Sequence, residues 1–322
     1  NLDTNPYGVD FVVYGNAFNG NPEAAAVQVY AQEVLSDGTL GDYKWYELAG
    51  SMYYSDSAVR NATVYYTKDN AGLHAAVNGV THSQDPFTTA ATWFPTKSDM
   101  NHEATSGINN TLTNTYITEY TANTLKFAGI TSIPDSDSNA DYAFGYADVT
   151  PVPSVKDGTP VNPYTPYTSD KDGGDGFDLA WAVDISTGEP VKVNNAKYVR
   201  IYSAVLYNTG IFGETSPEIT GIFRTNGTVT AATTATPTVK VNGQTVTPAV
   251  AGEEIPVVTG TTDEEALISV VATDSSHVFI NDAIANEHSF TFTEDETLIR
   301  VIVQDDSTAA PYIGYIKLQG ER

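Results

Sequence analysis

Cysteine is absent from the 322-residue sequence. That excludes disulfide staples, thiol nucleophiles and thiolate metal sites, and a chain of this length can bury its cores without staples. A cysteine-free chain is ordinary among exported bacterial proteins, where an unpaired thiol is a liability, and unusual among eukaryotic secreted ones. The sequons at Asn61, Asn109 and Asn226 therefore count for little. Basic residues are scarce as well, 15 against 40 acidic ones, and the formal net charge of −25 repels polyanions such as nucleic acid or an anionic membrane. No apolar run approaches the roughly 20 residues that would span a bilayer. The chain opens on "NLDTNPYGVDF" without Met, almost inside a strand, so we expect a mature or excised piece. Its expected location is extracellular, at a bacterial cell surface, with any signal or anchor outside this sequence.

Catalytic signatures are missing too. There is no G-x-S-x-G elbow, no phosphate-cradling G-x-x-x-x-G-K and no dinucleotide fingerprint. His74, His82, His102, His277 and His288 lack the close partners that zinc sites use. Pairs of acids for glycoside hydrolysis can be drawn from 40 carboxylates at will, so no pair stands out.

What is present points to strands. Tyr (20), Phe, Val and Thr are abundant, charged residues make up only 17%, and the apolar signal alternates with a period of two. "VDFVVYG" sets Val9, Phe11 and Val13 on one face, and "VQVY" sets Val27 and Val29 likewise. "YVRIYSAVLY" alternates Val199, Ile201 and Val205 with Tyr198, Tyr202 and Leu206, so both of its faces are expected to be covered. Residues 108–127 fit a helical stripe only loosely, which allows short helices at most. Near "RTNGTVTAATTATPTVK", residues 224–240, small residues and Thr replace the aromatic density. Beyond it, seven short segments separated by turn residues suggest a second sandwich, and "VNGQ" offers an Asn242-Gly243 hairpin turn. We expect an all-β protein with domains at 1–226 and 237–322, both acidic: 14 acids to 4 bases over 231–322 leave 26 to 11 before it.

Two acidic loops are candidates for metal. "DKDGGDGFD" spaces Asp170, Asp172, Asp175 and Asp178 among glycines that permit the sharp bends a Ca²⁺ loop needs, so a structural Ca²⁺ is the expected cofactor. The competing reading is an Asp/Gly turn feeding a strand, with its acids facing water. "DSDSNAD" places Asp135, Asp137, Asn139 and Asp141 at alternate positions, but Ala140 replaces the glycine of an EF-hand and Tyr146 its closing Glu, so a surface loop explains it. Aromatic residues are the candidates for ligand contact. Trp45, Tyr54, Trp93 and Phe94 lie in or beside segments bearing Gly, Asn or Pro, and flat exposed rings are what a sugar stacks upon. Most rings in a sandwich plug its core; "WFP" at 93–95 reads as a loop.

The blocks "GVDFVVYGNAFNGNPEAAAVQV", "WYELAGSMYY", "FGYADVTP", "NPYT" and "GGDGFDLAWAVDISTGEPVKVNNAKYVRIYSAVL", in that order, resemble a family of exported bacterial surface proteins. The resemblance covers most of residues 7–224, with two departures: a glycine-rich first strand is missing, and Pro22-Glu23-Ala24-Ala25 stands where an "EPG" is usual. It implies a jelly-roll-like N-terminal sandwich, of the kind found in adhesion and carbohydrate-binding modules, and brings the Asn16 and Glu23 region to the Gly-Asp block. The C-terminal part is similar to immunoglobulin-like or cadherin-like spacer sandwiches. The resemblance supplies no catalytic residues. It implies a non-enzymatic surface module binding a glycan, with Asn16 among the ligand residues. Three alternatives stay open: capture of a small nutrient such as a corrinoid, favoured by an enclosed ring-lined pocket; a polysaccharide-degrading enzyme, which needs convergent carboxylates or a base in one groove; and a purely structural stalk.

Overall fold

The computed structural model describes residues 8–68, 93–98, 120–121, 124–151, 174–205, 217–225, 236–272, 277–304 and 310–321; of these, the side chains of 64–68, 93–98, 120–121, 124–126 and 277 fall outside the description. The protein is all-β. Among the described residues, helix is confined to short 3-10 turns such as Ser51–Tyr54, Asn139–Asp141 and Leu179–Trp181. No helix is long and apolar enough to cross a membrane.

The first part of the chain supplies β1 (Phe11–Tyr14), β2 (Ala25–Val34), β3 (Leu40–Leu48), β4 (Val59–Lys68), β5 (Trp93–Ser98), β6 (Tyr120–Thr121), β7 (Thr124–Ser132), β8 (Gly174–Phe177), β9 (Ala182–Asp184), β10 (Val193–Ser203) and β11 (Gly221–Arg224). They form sheets ordered β11-β1-β8, β10-β2-β3-β9 and β5-β4-β7-β6, with every pair antiparallel. The first two sheets share one core. Val27, Val29 and Ala31 point into it from β2, where they meet Val12, Phe144, Phe177 and Trp181. Each fully buried large side chain there contributes about 1.5–3 kcal/mol of apolar transfer. The third sheet lies against part of the outer face of the second: Gln28 Nε2 donates to Gly129 O (2.7 Å), and Thr131 N donates to the Tyr202 hydroxyl oxygen (2.8 Å).

The rest of the chain builds β12 (Thr238–Val241), β13 (Gln244–Val246), β14 (Val257–Thr261), β15 (Glu265–Val271), β16 (His277–Ile280), β17 (Ala283–Ile284), β18 (Glu287–Thr291), β19 (Thr297–Gln304) and β20 (Tyr312–Glu321). Their sheets run β13-β12-β15-β18 and β14-β20-β19-β16-β17, and β14 lies parallel to the final strand. The alternation of buried and exposed residues along β15 is what a strand with one wet face requires. Asn242 (φ 48°) and Gly243 (φ 81°) join β12 to β13 as the sequence predicts, since positive φ at both central residues matches the twist of the hairpin.

No strand pairing among the described residues joins 8–225 to 236–321, yet side chains do. Phe279 and Ile302 enter the N-terminal core, and the Phe279 ring meets Phe144 edge-on at 5.0 Å. Arg300 on β19, only 1% exposed, donates through Nη1 to Ala49 O (2.5 Å) and through Nη2 to Gly50 O (2.7 Å). Its guanidinium carbon lies 4.9 Å from the Tyr54 ring centroid and 5.2 Å from that of Phe144. Asn281 fixes the other end, accepting the Arg300 backbone N–H at 2.7 Å. A buried charge that is hydrogen-bonded in this way holds its surroundings to one geometry, because no water can replace its partners. The acceptor turn depends on a close backbone approach: a Cβ at Gly145 (φ +76°) would lie 2.4 Å from Gly50 Cα. The C-terminal sandwich is thus packed against the first through a polar key and an apolar surround.

Candidate functional site

Among the described residues, the outer face of β10-β2-β3 holds a group of rings that the register explains. Antiparallel pairing sets Tyr198 opposite Tyr30 and Tyr30 opposite Trp45, which places three rings in one row across three strands. Ring centroids are 5.9 Å apart for Tyr30 and Tyr198, and 5.4 Å for Tyr30 and Trp45. The next row outward is Asn194, Gln32 and Tyr43, with Tyr43 stacked on Tyr30 at 5.5 Å. The next row inward is Arg200, Gln28 and Glu47. Tyr198 is 62% exposed; Tyr30, Tyr43 and Trp45 are half-buried.

Two cations lie on these rings. Arg200 places its guanidinium 3.7 Å from the Trp45 centroid while donating to Gln28 Oε1 at 2.9 Å. Lys197 places its ammonium 3.5 Å from the Tyr43 centroid. It belongs to the irregular stretch between Asn194 and Tyr198, where the register slips and Asn195 takes φ 54°. A bulge re-aims side chains in this way, and here it sends Lys197 across to β3.

Beneath the border of the platform, Glu47 is buried and accepts from Gln28 Nε2 (3.1 Å) and the Tyr202 hydroxyl (2.8 Å). Burial pushes its carboxyl up to about 7, against the lowering effect of hydrogen bonds from Thr131, Gln28 and Tyr202. Arg200, Gln28 and Glu47 therefore form one hydrogen-bonded chain from the surface to the interior.

The sequence-predicted residues are distributed over several places. Trp45 lies on the platform, in mid-strand. Tyr54 lies between the sandwiches under Arg300, and its hydroxyl is fully enclosed. Trp93 and Phe94 fall on β5, a strand paired with β4 where a loop was expected, and their side chains lie outside the described residues. Asp170 and Asp172 also lie outside the described residues. Asp175 on β8 and Asp178 just past its end stand three positions apart in extended backbone, so their side chains leave on opposite faces and are not brought together. Asp175 accepts from the Thr150 hydroxyl (2.6 Å) and Val149 N–H (3.2 Å). Asp178 accepts from Ala180 N–H (2.8 Å) and faces Asp10, which accepts from Leu179 N–H (2.8 Å). Burial, and then the neighbouring Asp10 charge, push the Asp178 carboxyl well above its ordinary range.

Asn16 and Asp148 do adjoin the Gly-Asp block. Asp148 accepts from the backbone N–H groups of Asn16 (2.7 Å), Ala17 (2.8 Å) and Glu218 (2.9 Å), while Val149 and Thr150 reach Asp175. Carboxylate oxygens of Glu23, Asp148 and Glu218 come within 4.8 Å of one another, a separation that could hold a divalent ion, although the three N–H donors already account for Asp148. The "DSDSNAD" loop is tied down by Asn139, which accepts from Gly20 N–H (2.7 Å) and donates to Val149 O (2.7 Å).

Tyr30, Tyr43, Tyr198, Lys197 and Arg200 were not among the predicted site residues. Alternation alone puts Tyr30 and Tyr198 off the core face, but the expectation that both faces of β10 are covered does not hold: the third sheet reaches Tyr202 and stops short of Tyr198.

Comparison with protein-family models finds no match, and comparison with curated proteins finds none. Among solved structures, the chain is similar to fibronectin(III)-like modules of Clostridium thermocellum CbhA, at 14% identity over 40% of this chain and 73% of that one, with a TM-score of 0.17.

Proposed function

We propose that this protein is a non-enzymatic module of the bacterial exterior that binds a glycan on the ring row Tyr198, Tyr30 and Trp45. The observation that carries this reading is the row itself: three rings in register across three strands, one of them 62% exposed, on a sheet that packs a core with its other face. A sugar presents C–H groups on its ring faces and hydroxyls at its rim, so it matches an apolar strip flanked by amide side chains. Gln32, Asn194 and Asn195 supply that flank, with Asn195 Nδ2 already donating to Gln32 Oε1 at 3.1 Å. An open platform suits an extended polymer better than a corrinoid, which asks for enclosure. The one carboxylate that the register puts on this face among the described residues is Glu47, held beneath it, which speaks for binding rather than cleavage.

The test is a titration of the full chain against a panel of plant and bacterial glycans, repeated with Trp45→Ala and Tyr198→Ala. Loss of an anchoring ring should weaken binding by about 30-fold, corresponding to about 2 kcal/mol. Binding that survives both substitutions places the ligand elsewhere and ends this reading.

A further inference from the structure

The platform carries two cations on its rings. In a chain of 40 acids to 15 bases, Lys44 and Lys317 each hold two carboxylates. Lys197 forms no ion pair among the described residues and rests on the Tyr43 ring instead. Arg200 rests on Trp45. The remaining side chains that the register gives to this face are Gln28, Tyr30, Gln32, Asn194 and Tyr198, all neutral, and Glu47 is enclosed. Among the described residues, two cations therefore stand on an aromatic face to which the strand register assigns no exposed carboxylate, within a chain of net charge −25.

Resting on the proposed glycan reading, we infer that the ligand is an acidic polysaccharide built of uronic acid residues. A pyranose stacked flat on the ring row carries its C5 carboxylate at the rim, level with the sugar ring and within lateral reach of Lys197 and Arg200. The planar carboxylate matches the fork of a guanidinium. In the free protein each cation covers the ring it rests on. A neutral sugar has to displace it without replacement, at a cost of about two- to five-fold in affinity. A uronate draws the Lys197 ammonium from the Tyr43 face to its own carboxylate, so uncovering that ring and pairing that charge occur in one step.

The experiment titrates the full chain with hexagalacturonate and hexamannuronate, with their fully methyl-esterified forms, and with a sulfated neutral oligosaccharide. The esters keep the sugar ring and remove the charge. We expect at least one acid form to bind about tenfold or more tighter than its ester in low salt, the gap closing at high salt. Lys197→Gln should close most of that gap, weakening the acid form and tightening the ester by no more than the about two- to five-fold that displacing the cation costs, while Tyr198→Ala should weaken acid and ester alike. Equal affinity for acid and ester, with both lost in Tyr198→Ala, overturns the charge inference and leaves the platform standing. A gap unmoved by Lys197→Gln, or tighter binding of the sulfated sugar, overturns it too. If neither acid form binds while a neutral glycan does so through Tyr198, the inference falls alone; if no glycan depends on Tyr198, the platform falls with it.

Discussion

Two arginine–aromatic contacts involve rings from one short stretch, "WYELAGSMYY", and they lead to opposite ends of the molecule's chemistry. At Trp45 the guanidinium of Arg200 lies 3.7 Å over a half-buried ring on an open sheet face. At Tyr54 the guanidinium of Arg300 lies 4.9 Å away inside a buried seam, and its Nη atoms donate to two backbone carbonyls. The pairing is alike and the dielectric is not. A surface cation–π contact competes with water and is worth about 0.5–1 kcal/mol, so a ligand can exchange it. A buried guanidinium has no water to return to, so it fixes the two sandwiches against each other.

The largest expected effect comes from breaking the buried member. Arg300→Met keeps the stem but leaves the Ala49 and Gly50 carbonyls without their donors, and should lose about 3–5 kcal/mol in urea denaturation. It should also split a single unfolding transition into two, as the sandwiches uncouple. Arg200→Met should stay within about 1 kcal/mol of the parent. Equal losses from the two substitutions would erase the contrast.

Glu47 sharpens the comparison, since it stands where the open face turns into interior. Its folded carboxyl is raised to about 7 by burial, so the folded protein holds a proton that the unfolded chain releases near 4.5. The sign follows directly: the stabilisation is complete below about 4.5 and is lost as pH rises through about 7, on the order of 3 kcal/mol in all. Asp10 and Asp178, also raised, slope the same way, so the measurement is a difference. Glu47→Gln should flatten the stability profile between pH 4.5 and 7 relative to the parent. Parallel profiles would mean that water reaches the carboxyl.

Gly145 tests the turn that accepts Arg300. An alanine there takes a left-handed backbone and brings its Cβ to 2.4 Å from Gly50 Cα, so Gly145→Ala should cost about 2 kcal/mol by the same denaturation assay. A neutral result would show that the backbones can part without disturbing the key.

Much of this fold is legible in the sequence, because strand period and turn chemistry are local. Val27 and Val29 face the core as their alternation says, and Asn242-Gly243 closes the hairpin its dipeptide announces. The platform is not legible, because it depends on register. Tyr30, Trp45 and Tyr198 become neighbours only once β2 is paired with both β3 and β10, and the residues that join them are far apart in the chain. The seam is hidden for a related reason: a lone Arg in "TLIRVIVQ" reads as a solvated residue on a strand, and only the docking of a second sandwich buries it. Asp175 and Asp178 mislead as a pair because their Asp/Gly spacing suggests a loop where the backbone is extended, and extension turns residues three apart to opposite faces.

The smallest expected effect is the most telling about the open face. A double-mutant cycle on Trp45→Ala and Arg200→Ala should return a coupling of about 0.5–1 kcal/mol in the unliganded protein, against more than about 2 kcal/mol for the corresponding cycle on Tyr54 and Arg300. A weak coupling means that the Trp45 ring holds the Arg200 guanidinium only loosely, and Gln28 keeps it nearby through the bond at 2.9 Å. A surface coupling as strong as the buried one would commit the cation to Trp45. The ring row would then be a structural ladder, and no stacking ligand could claim its faces without paying for both partners.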